Sequence, residues 1–273
     1  MKRVNIGIDL GGTKVLIIAG GLEEKATTGI DFKPSELEEV ITSFIKKNNL
    51  EPTGIGIAVP GLVNDENTIV FCDVLPHFVG WNTKNLLIKY PTTIKIMNDV
   101  KAALTQEFYN CKNDFTGGVI MVGTAVGSAF IIDGKPVLGT SGWAGEFGYF
   151  PLIINDETKR VDEVCGGSFL AQQLKMTSNQ MYELAIRKDE RVLKVINKGG
   201  YYLGVAIAGI INLLNPSKIS IGGGTASLPT YWEGILKGAK QNVIPEFWND
   251  NMIIKVKESY KVAALGAIRS LTS

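Results

Sequence analysis

Short apolar runs that lead into glycine-rich turns recur along this chain. The run Val4–Ile8 is followed by the turn Gly11–Lys14 and then by a second apolar run, Val15–Ala19. Apolar, β-branched runs of this length predict strands, and the glycines between them predict a hairpin turn. Because glycine lets backbone N–H groups point at an anion, a strand followed by such a turn is a candidate phosphate site.

The second half of the chain repeats this pattern. The segment Gly118–Gly134 contains an apolar strand, a turn of Gly and Thr, a second apolar run (Ala129–Ile132) and a final glycine. A third glycine turn, Gly222–Gly224, follows the predicted strand Ile219–Ile221. The repetition predicts a duplicated lobe, with the two copies binding one nucleotide from both sides.

Helical spacing separates these units. We expect Ser35 to be a helix N-cap, with Glu38 completing a capping box. The apolar positions that follow lie on one helix face: Leu37, Val40, Ile41, Phe44 and Ile45. Further helices are predicted over about Ser168–Leu214 and over Ala263–Ser270. The alternation of strands and helices predicts the α/β class.

Two more apolar runs, Gly54–Val59 and Ile94–Met97, predict strands of a parallel or mixed sheet. The second run ends at Asn98 and Asp99, where a helix is expected to begin. Asp99 therefore lies at a junction between strand and helix.

A polar segment before the second glycine unit places the domain boundary near residue 115. We expect an N-terminal α/β domain over residues 1–115 and a C-terminal α/β domain over residues 116–273. The last helix, about 261–273, is expected to pack back onto the N-terminal domain.

Composition and charge exclude several classes of partner. The 273 residues are 45% hydrophobic, and 28 basic residues nearly balance 27 acidic ones. No run of five or six like charges occurs, so we expect no nucleic-acid or membrane-surface partner.

The three cysteines lack metal-binding spacing and predict reduced thiols. The first strand begins at once and leaves no room for a signal peptide, so a cytoplasmic location is expected. The apolar segment Tyr201–Leu214 predicts a buried helix.

The first glycine turn has an acid beside it. Asp9 can hold a hydrated magnesium ion through water, and Thr13 and Lys14 can donate to phosphate oxygens. Neither the GxxxxGK[ST] loop nor the GxGxxG fingerprint is present. The alternative is an ordinary hairpin in which Asp9 only accepts hydrogen bonds from backbone amides.

The other two glycine turns suit further parts of a nucleotide. Gly123, Thr124 and Gly127 repeat the first arrangement, and Thr124 can offer its hydroxyl to a phosphate. The run Gly222–Gly224 lets a flat ligand such as adenosine lie against the backbone.

Three polar residues are candidates for the acceptor side of the reaction. Asp99 can accept the proton of an alcohol during phosphoryl transfer, although an aspartate here is also a good N-cap. Asn98 can bind a neighbouring sugar hydroxyl. Glu146 lies between Gly145 and Gly148, on a turn from which a carboxylate can accept two hydroxyl hydrogen bonds.

Taken in order, these segments resemble the ROK family of sugar kinases and sugar-responsive repressors, within the actin/hexokinase/Hsp70 ATPase superfamily. Eight ordered motifs carry the resemblance: DLGGTK (Asp9–Lys14), VPGLVN (Val59–Asn64), GW (Gly80, Trp81), ND (Asn98, Asp99), GTAVGSA (Gly123–Ala129), GEFGY (Gly145–Tyr149), GGG (Gly222–Gly224) and AALGA (Ala263–Ala267). The resemblance implies two ribonuclease H-like (actin-like ATPase) domains with an interdomain cleft.

The resemblance also implies an ATP- and magnesium-dependent kinase for the 6-hydroxyl of a hexose or N-acetylhexosamine, similar to a glucokinase or an N-acetylmannosamine kinase and forming a homodimer. Asp99 takes the catalytic-base position, and Asp9 holds Mg²⁺ through water. The implied sugar-binding residues are Gly61, Asn98, Asp99, Glu146, Tyr149 and Asp162. The implied nucleotide-binding residues are Asp9, Gly11, Gly12, Thr13, Lys14, Gly123, Thr124, Gly127, Gly222, Gly223 and Gly224.

The chain departs from the family pattern at its zinc site. Tyr149 stands where the signature loop ends in a zinc-ligating histidine, the CxCGxxGC cluster is missing, and Arg160 occupies the place of its last cysteine. We therefore expect no bound zinc. Asp162 takes the place of the family's sugar-binding glutamate, with Glu163 as the alternative.

Other functions in this superfamily remain alternatives. ROK repressors carry a winged helix–turn–helix ahead of the kinase-like fold, and because the first predicted strand begins at Val4 we expect a kinase and not a repressor. A non-catalytic sugar-binding protein is disfavoured by the presence of Asp9, Asp99 and all three glycine turns. An ATP-hydrolysing chaperone is disfavoured by the loop around Glu146.

Overall fold

The computed structural model describes residues Met1–Thr272. These residues form two compact units. The first comprises Met1–Asn110, Leu138–Ala144 and the described residues from Tyr260 onward, and the second comprises Cys111–Val137 and Gly145–Ser259. Ser273, which the sequence places in the last helical segment, lies outside the described residues.

The first unit is built on a five-stranded mixed sheet flanked by helices. Its strands are β1 (Lys2–Leu10), β2 (Lys14–Ala19), β3 (Leu22–Thr27), β4 (Leu50–Val59), β5 (Leu62–Val63), β6 (Ile69–Phe71) and β7 (Thr93–Asn98), and its first helices are α1 (Pro34–Lys47), α2 (Lys84–Lys89) and α3 (Asp99–Glu107). The sheet order is β3-β2-β1-β4-β7, with β1, β4 and β7 parallel and β2 antiparallel to both of its neighbours. The short strands β5 and β6 pair separately.

The second unit repeats this sheet. Its strands are β8 (Gly117–Val122), β9 (Val126–Ile132), β10 (Lys135–Pro136), β11 (Pro151–Ile154), β12 (Glu157–Arg160), β13 (Lys218–Gly222) and β14 (Ile253–Lys255), and its helices are α4 (Val161–Cys165), α5 (Gly167–Gln173), α6 (Ser178–Ile186), α7 (Glu190–Leu214) and α8 (Tyr231–Asn242). The order β10-β9-β8-β13-β14 has the same strand directions as the first sheet. Strands β11 and β12 form a separate hairpin.

The last helix, α9 (Val262–Arg269), belongs to the first unit. Its Ala264 packs against Leu16 and Ile18 on one face of the sheet, while α1 packs on the other face, against Ile6, Ile8 and their neighbours. The face under α9 carries glycine at Gly7 and Gly56, and a Cβ added at Gly56 would collide with the Ala267 carbonyl. The absence of these side chains lets the helix lie directly on the strand backbones.

The helix α1 begins two residues earlier than the sequence predicts. Pro34 occupies the first helical position, which suits proline because its missing N–H would have no partner inside the helix. Lys33 is therefore the N-cap, and its N–H donates to Glu36 Oε2 at 2.8 Å. The predicted capping box of Ser35 and Glu38 was wrong, and Glu38 instead accepts a hydrogen bond from Trp81 Nε1 at 3.2 Å.

Close backbone packing of α9 generates a stability prediction. A Cβ at Gly266 would overlap the Ala102 carbonyl of α3, so we expect Gly266→Ala to lower the free energy of unfolding by about 3 kcal/mol, as for an overpacked site. Urea denaturation measures the change.

The matched control is Gly209→Ala, in the interior of α7 on its exposed side. An added Cβ there meets no other element of the described residues, so this variant should gain about 0.5–1 kcal/mol from helix propensity. A Gly266→Ala protein as stable as the wild type would contradict the close packing.

Candidate functional site

Three parallel strands of the first unit end side by side. Asp9 on β1 pairs with Ala58 on β4, and Ala58 pairs with Met97 on β7. Since neighbouring strands are about 4.8 Å apart, Asp9 and Met97 are separated by roughly 10 Å. Ligands of open α/β sheets bind at the carboxyl ends of such strands. The predicted residues Asp9, Gly61, Asn98 and Asp99 all lie at or just beyond this edge.

The turn after β1 is fixed by hydrogen bonds. The Gly11 N–H donates to the Lys14 carbonyl at 2.9 Å, and Thr28 Oγ1 donates to the Gly11 carbonyl at 2.6 Å. Thr13 and Lys14 are exposed. Thr28 was missed by sequence reasoning because it lies 17 residues away and is brought in by the pairing of β2 with β3.

Asp9 is partly buried beside this turn. Burial raises the pKa of Asp9 from 3.8 to about 6, and the charge of Lys14 opposes part of the rise. A desolvated carboxylate is stabilised by a nearby cation, and Mg²⁺ is often held by one carboxylate while it keeps most of its waters. The position and chemistry of Asp9 therefore fit a hydrated magnesium ion.

Asn98 holds the junction between β7 and α3. Its Oδ1 accepts hydrogen bonds from the N–H groups of Val100 (3.0 Å) and Lys101 (3.1 Å), and its Nδ2 donates to the Gly61 carbonyl at 3.1 Å. Asn98 is thus the N-cap of α3, a role that the sequence offered to Asp99 as an alternative. Within residues 1–272, these bonds leave one N–H of the Asn98 amide that can donate to a ligand.

Asp99 is the first residue of α3 and is partly buried. Its Oδ1 accepts a hydrogen bond from the Val100 N–H at 2.8 Å, which orients the carboxylate.

Cys72 lies near Asp99. Burial raises the pKa of its thiol to about 11, and the negative charges of Asp73 and Asp99 add to the rise. The Cys72 thiol is therefore neutral at pH 7, and it donates to the Pro60 carbonyl at 3.0 Å. Nothing in the cysteine spacing indicated this contact.

In the second unit, two glycine turns lie at the ends of adjacent parallel strands. Gly222 on β13 pairs with Met121 on β8. Gly223 has a φ of +98°, and a Cβ there would collide with the backbone of Val122, so only glycine fits. The Gly223 N–H donates to Ser259 Oγ at 2.9 Å.

The turn after β8 is bound to a third segment. The Gly123 carbonyl accepts hydrogen bonds from the Gly167 N–H (2.9 Å) and from Thr225 Oγ1 (2.8 Å). Gly167 begins α5, and Thr225 directly follows Gly222–Gly224. The Gly123 carbonyl therefore joins its own turn to the start of α5 and to the turn after β13. The exposed Thr124 lies within the turn, whereas Gly127 lies in β9 opposite Met121. The predicted turn is thus shorter than the motif, which continues into the strand.

A side chain of β9 holds the loop that carries Glu146. Ser128 Oγ donates to the Gly145 carbonyl at 2.8 Å, and Glu146 and Tyr149 are exposed. A Cβ at Gly148 would lie 2.5 Å from Asp162 Oδ1, so the carboxyl of Asp162 lies directly against this loop.

Asp162 and Glu163 have different surroundings. Asp162 Oδ1 accepts a hydrogen bond from the Val126 N–H at 2.6 Å, next to the turn at Gly123. Glu163 Oε2 accepts from the Arg160 N–H at 2.7 Å, at the start of α4. Asp162 therefore connects the Glu146 loop with the glycine turn at Gly123. Glu163 caps a helix.

A model of the ROK family matches residues 5–271 of the chain. The chain belongs to the ROK family. A glucokinase from Halalkalibacterium halodurans is 26% identical, in an alignment that covers 88% of this chain and 85% of that protein. The xylose repressor of Bacillus subtilis is 27% identical over 77% of this chain and 58% of the repressor.

A solved ROK family glucokinase from Streptomyces griseus, in complex with glucose and AMPPNP, superposes with a TM-score of 0.80. It is 19% identical, and the alignment covers 97% of this chain and 98% of that one. This likeness, with the two five-stranded sheets, confirms the predicted α/β fold of the actin-like ATPase class. None of the helices formed by residues 1–272 is long and apolar enough to cross a membrane.

The zinc site of the ROK resemblance does not fit this chain. Structural zinc is held by several thiolate or imidazole ligands, and Tyr149 and Arg160 stand at two of the implied positions. Within the part of the chain that the structure describes, no three His, Cys, Asp or Glu side chains are grouped so that they could hold a metal. The expected absence of bound zinc stays a prediction for metal analysis.

The raised pKa of Asp9 makes stability depend on pH. The folded protein binds this proton more tightly than the unfolded chain, so the free energy of unfolding falls as pH rises from about 4 to about 6. The full loss from this group is about 3 kcal/mol, from a shift of about two pKa units. Asp9→Asn should abolish this loss and be more stable than the wild type at pH 8.

Urea denaturation at pH 4, 5, 6, 7 and 8 in the absence of divalent cations measures the effect. Asp31→Asn, which removes an exposed carboxylate of the same unit, is the control. If Asp9→Asn and the wild type lose stability in parallel over this range, Asp9 is not the desolvated group.

Proposed function

We propose that this ROK protein is an ATP- and magnesium-dependent sugar kinase that phosphorylates the 6-hydroxyl of a hexose or N-acetylhexosamine. The observation that carries the proposal is the shared carboxyl edge of β1, β4 and β7. It brings an acid suited to Mg²⁺, Asp9, onto the same edge as an oriented carboxylate at the start of a helix, Asp99.

Asp99 is the proposed general base. Phosphoryl transfer to an alcohol needs a group that accepts the hydroxyl proton as the new P–O bond forms. The Val100 N–H donates to Asp99 Oδ1 and so orients the carboxylate. The preceding residue, Asn98, is hydrogen-bonded to the Gly61 carbonyl and to the Val100 N–H, so the chain is held on both sides of Asp99. This preorganisation suits a carboxylate that must meet one hydroxyl in one orientation.

The glycine turns are the proposed phosphate and nucleoside sites. Gly11–Lys14 and the turn at Gly123 and Thr124 would donate N–H and hydroxyl hydrogen bonds to phosphate oxygens. Gly222–Gly224 would let the adenosine lie against the backbone. When bound, Mg²⁺ near Asp9 would neutralise phosphate charge, with Asp9 contacting it through water.

Sugar recognition is assigned to three polar side chains. Glu146 and Asp162 can each accept hydrogen bonds from hydroxyl groups, and the remaining N–H of Asn98 can donate one. Of the alternatives at the second acid, we favour Asp162 because its carboxyl lies against Gly148 of the sugar loop, while Glu163 is engaged at the start of α4. Tyr149 ends the same loop. The expected homodimer and the cytoplasmic location stay predictions.

A sugar-sensing regulator is the second candidate, because the xylose repressor is as similar to this chain as the glucokinase is. A regulator has no need of a general base or of a magnesium ligand beside a phosphate turn. The presence of Asp9 and Asp99 on one sheet edge favours the kinase.

Asp99→Asn separates binding from chemistry. The variant keeps the size of the side chain and an oxygen for the Val100 N–H, but it loses the proton acceptor, so kcat should fall about 10²- to 10⁴-fold. Sugar affinity, measured by calorimetry, should stay within about threefold of the wild type. Turnover close to that of the wild type would remove Asp99 from the proposed role.

The substrate is identified by a coupled assay for ADP release. Purified protein with ATP and Mg²⁺ is tested with glucose, mannose, fructose, allose, N-acetylglucosamine and N-acetylmannosamine, and the phosphorylated carbon is located by NMR. We expect turnover with at least one of them and phosphate on the 6-oxygen. Tight binding of a sugar without turnover would favour the regulator or a non-catalytic sugar-binding protein.

A further inference from the structure

The loop that carries Glu146 contacts the neighbouring hairpin at the positions where the ROK resemblance places zinc ligands. Tyr149 takes the histidine position and Arg160 the last cysteine position, and neither side chain is a zinc ligand of the family type. The two residues nevertheless contact each other. The guanidinium carbon of Arg160 lies 5.0 Å from the centre of the Tyr149 ring.

The backbone places these side chains side by side. Pro151, two residues after Tyr149, pairs with Arg160 across the hairpin of β11 and β12. The Val161 N–H donates to the Phe150 carbonyl at 3.0 Å. The strand pairing thus brings Arg160 to the end of the loop. The cation–π contact adds a side-chain link between Arg160 and Tyr149 at this end of the hairpin.

Arg160 is also held from its other side. Its Nε lies 3.7 Å from Glu163 Oε2, and the same carboxylate accepts the Arg160 N–H at the start of α4. A planar guanidinium can stack on a ring and pair with a carboxylate at the same time, which an ammonium does less well. Tyr149, Arg160 and Glu163 therefore form one connected group, here called the loop clasp.

We propose that the loop clasp holds residues 146–149 in the conformation that presents Glu146 to the sugar. Tyr149 and Arg160 are positioning residues in this scheme. Tyr149 is 56% exposed and the Arg160 side chain 43% exposed, so the contact should change the population of the ordered loop by about two- to fivefold. The kinetic consequence rests on the proposed function, whereas the ordering of the loop does not.

Hydrogen exchange of the free protein tests the ordering directly. The Tyr149 N–H donates to the Glu146 carbonyl at 3.1 Å and the Phe150 N–H to the Phe147 carbonyl at 3.0 Å. Exchange at these amides should become about two- to fivefold faster in Tyr149→Leu and in Arg160→Met. Tyr149→Phe keeps the ring and should retain most of the protection, whereas Arg160→Lys keeps the charge but loses the planar group and should lie between the wild type and Arg160→Met.

Two further variants make the exchange experiment decisive. The double variant Tyr149→Leu/Arg160→Met should exchange no faster than the faster single variant, because the two residues form one contact. Lys159→Met removes a neighbouring cation that pairs with Glu157 at 2.7 Å and should leave the loop unchanged. Additive effects in the double variant, or an equal effect of Lys159→Met, would overturn the proposal.

Kinetics supply the second readout. In Arg160→Met the KM for the sugar should rise about two- to fivefold while kcat and the KM for ATP stay at wild-type values, and Arg160→Lys should restore the sugar KM only in part. A wild-type protein that phosphorylates no sugar would defeat the proposed function but leave the exchange result intact. Normal kinase activity with an unchanged sugar KM in Arg160→Met, or one zinc per chain by metal analysis of the purified protein, would overturn the loop clasp.

Discussion

The packing of α9 on the first sheet is the contact on which the rest of that unit depends. The helix lies against β1 and β4 where Gly7 and Gly56 carry no side chain, and Gly266 brings it onto the backbone of α3. Dispersion contacts fall off steeply with distance, so such close approach is stabilising only when both surfaces are flat. One helix thereby sets the positions of β1, β4 and α3, and these are the elements that carry Asp9, lead to Gly61 and begin at Asp99.

In the second unit, close backbone packing occurs between the two helices α7 and α8. Gly200 of α7 meets the Tyr231 carbonyl, and Gly234 of α8 meets the Asn197 carbonyl, so the two helices also approach backbone to backbone. The Tyr231 hydroxyl, fully buried, donates to the Cys165 carbonyl at 2.8 Å. Cys165 ends α4, whose first turn carries Asp162. A core contact therefore fixes the short helix that links the Glu146 loop to the glycine turn at Gly123. The two sheets have the same strand order but are supported by different helices.

The sequence predicted those features that depend on local spacing. Apolar runs gave the strands that carry the turns, and the change of pattern after Ile94–Met97 placed Asp99 at the start of a helix, as the structure has it. Features that depend on distant contacts were missed. Thr28, Cys72 and Thr225 reach the turns only through tertiary folding. The N-cap of α1 was predicted at Ser35, because serine caps better than lysine, but it lies at Lys33. The N-cap of α3 is Asn98, whereas the sequence offered this role to Asp99 as an alternative; asparagine and aspartate cap equally well, so only the backbone geometry decides between them.

The electrostatics of Asp9 connect the fold to the proposed chemistry. Above pH 6 the carboxylate is ionised although burial disfavours its charge, so the free protein carries local destabilisation at the carboxyl end of β1. A cation that binds near Asp9 relieves this destabilisation, and the relief contributes to the affinity for that cation. Under the proposed function, that cation is Mg²⁺ with its nucleotide, and one ion would neutralise both the phosphate charge and the carboxylate charge. The desolvation of Asp9 is thus a physical reason for the proposed ion and nucleotide to bind together.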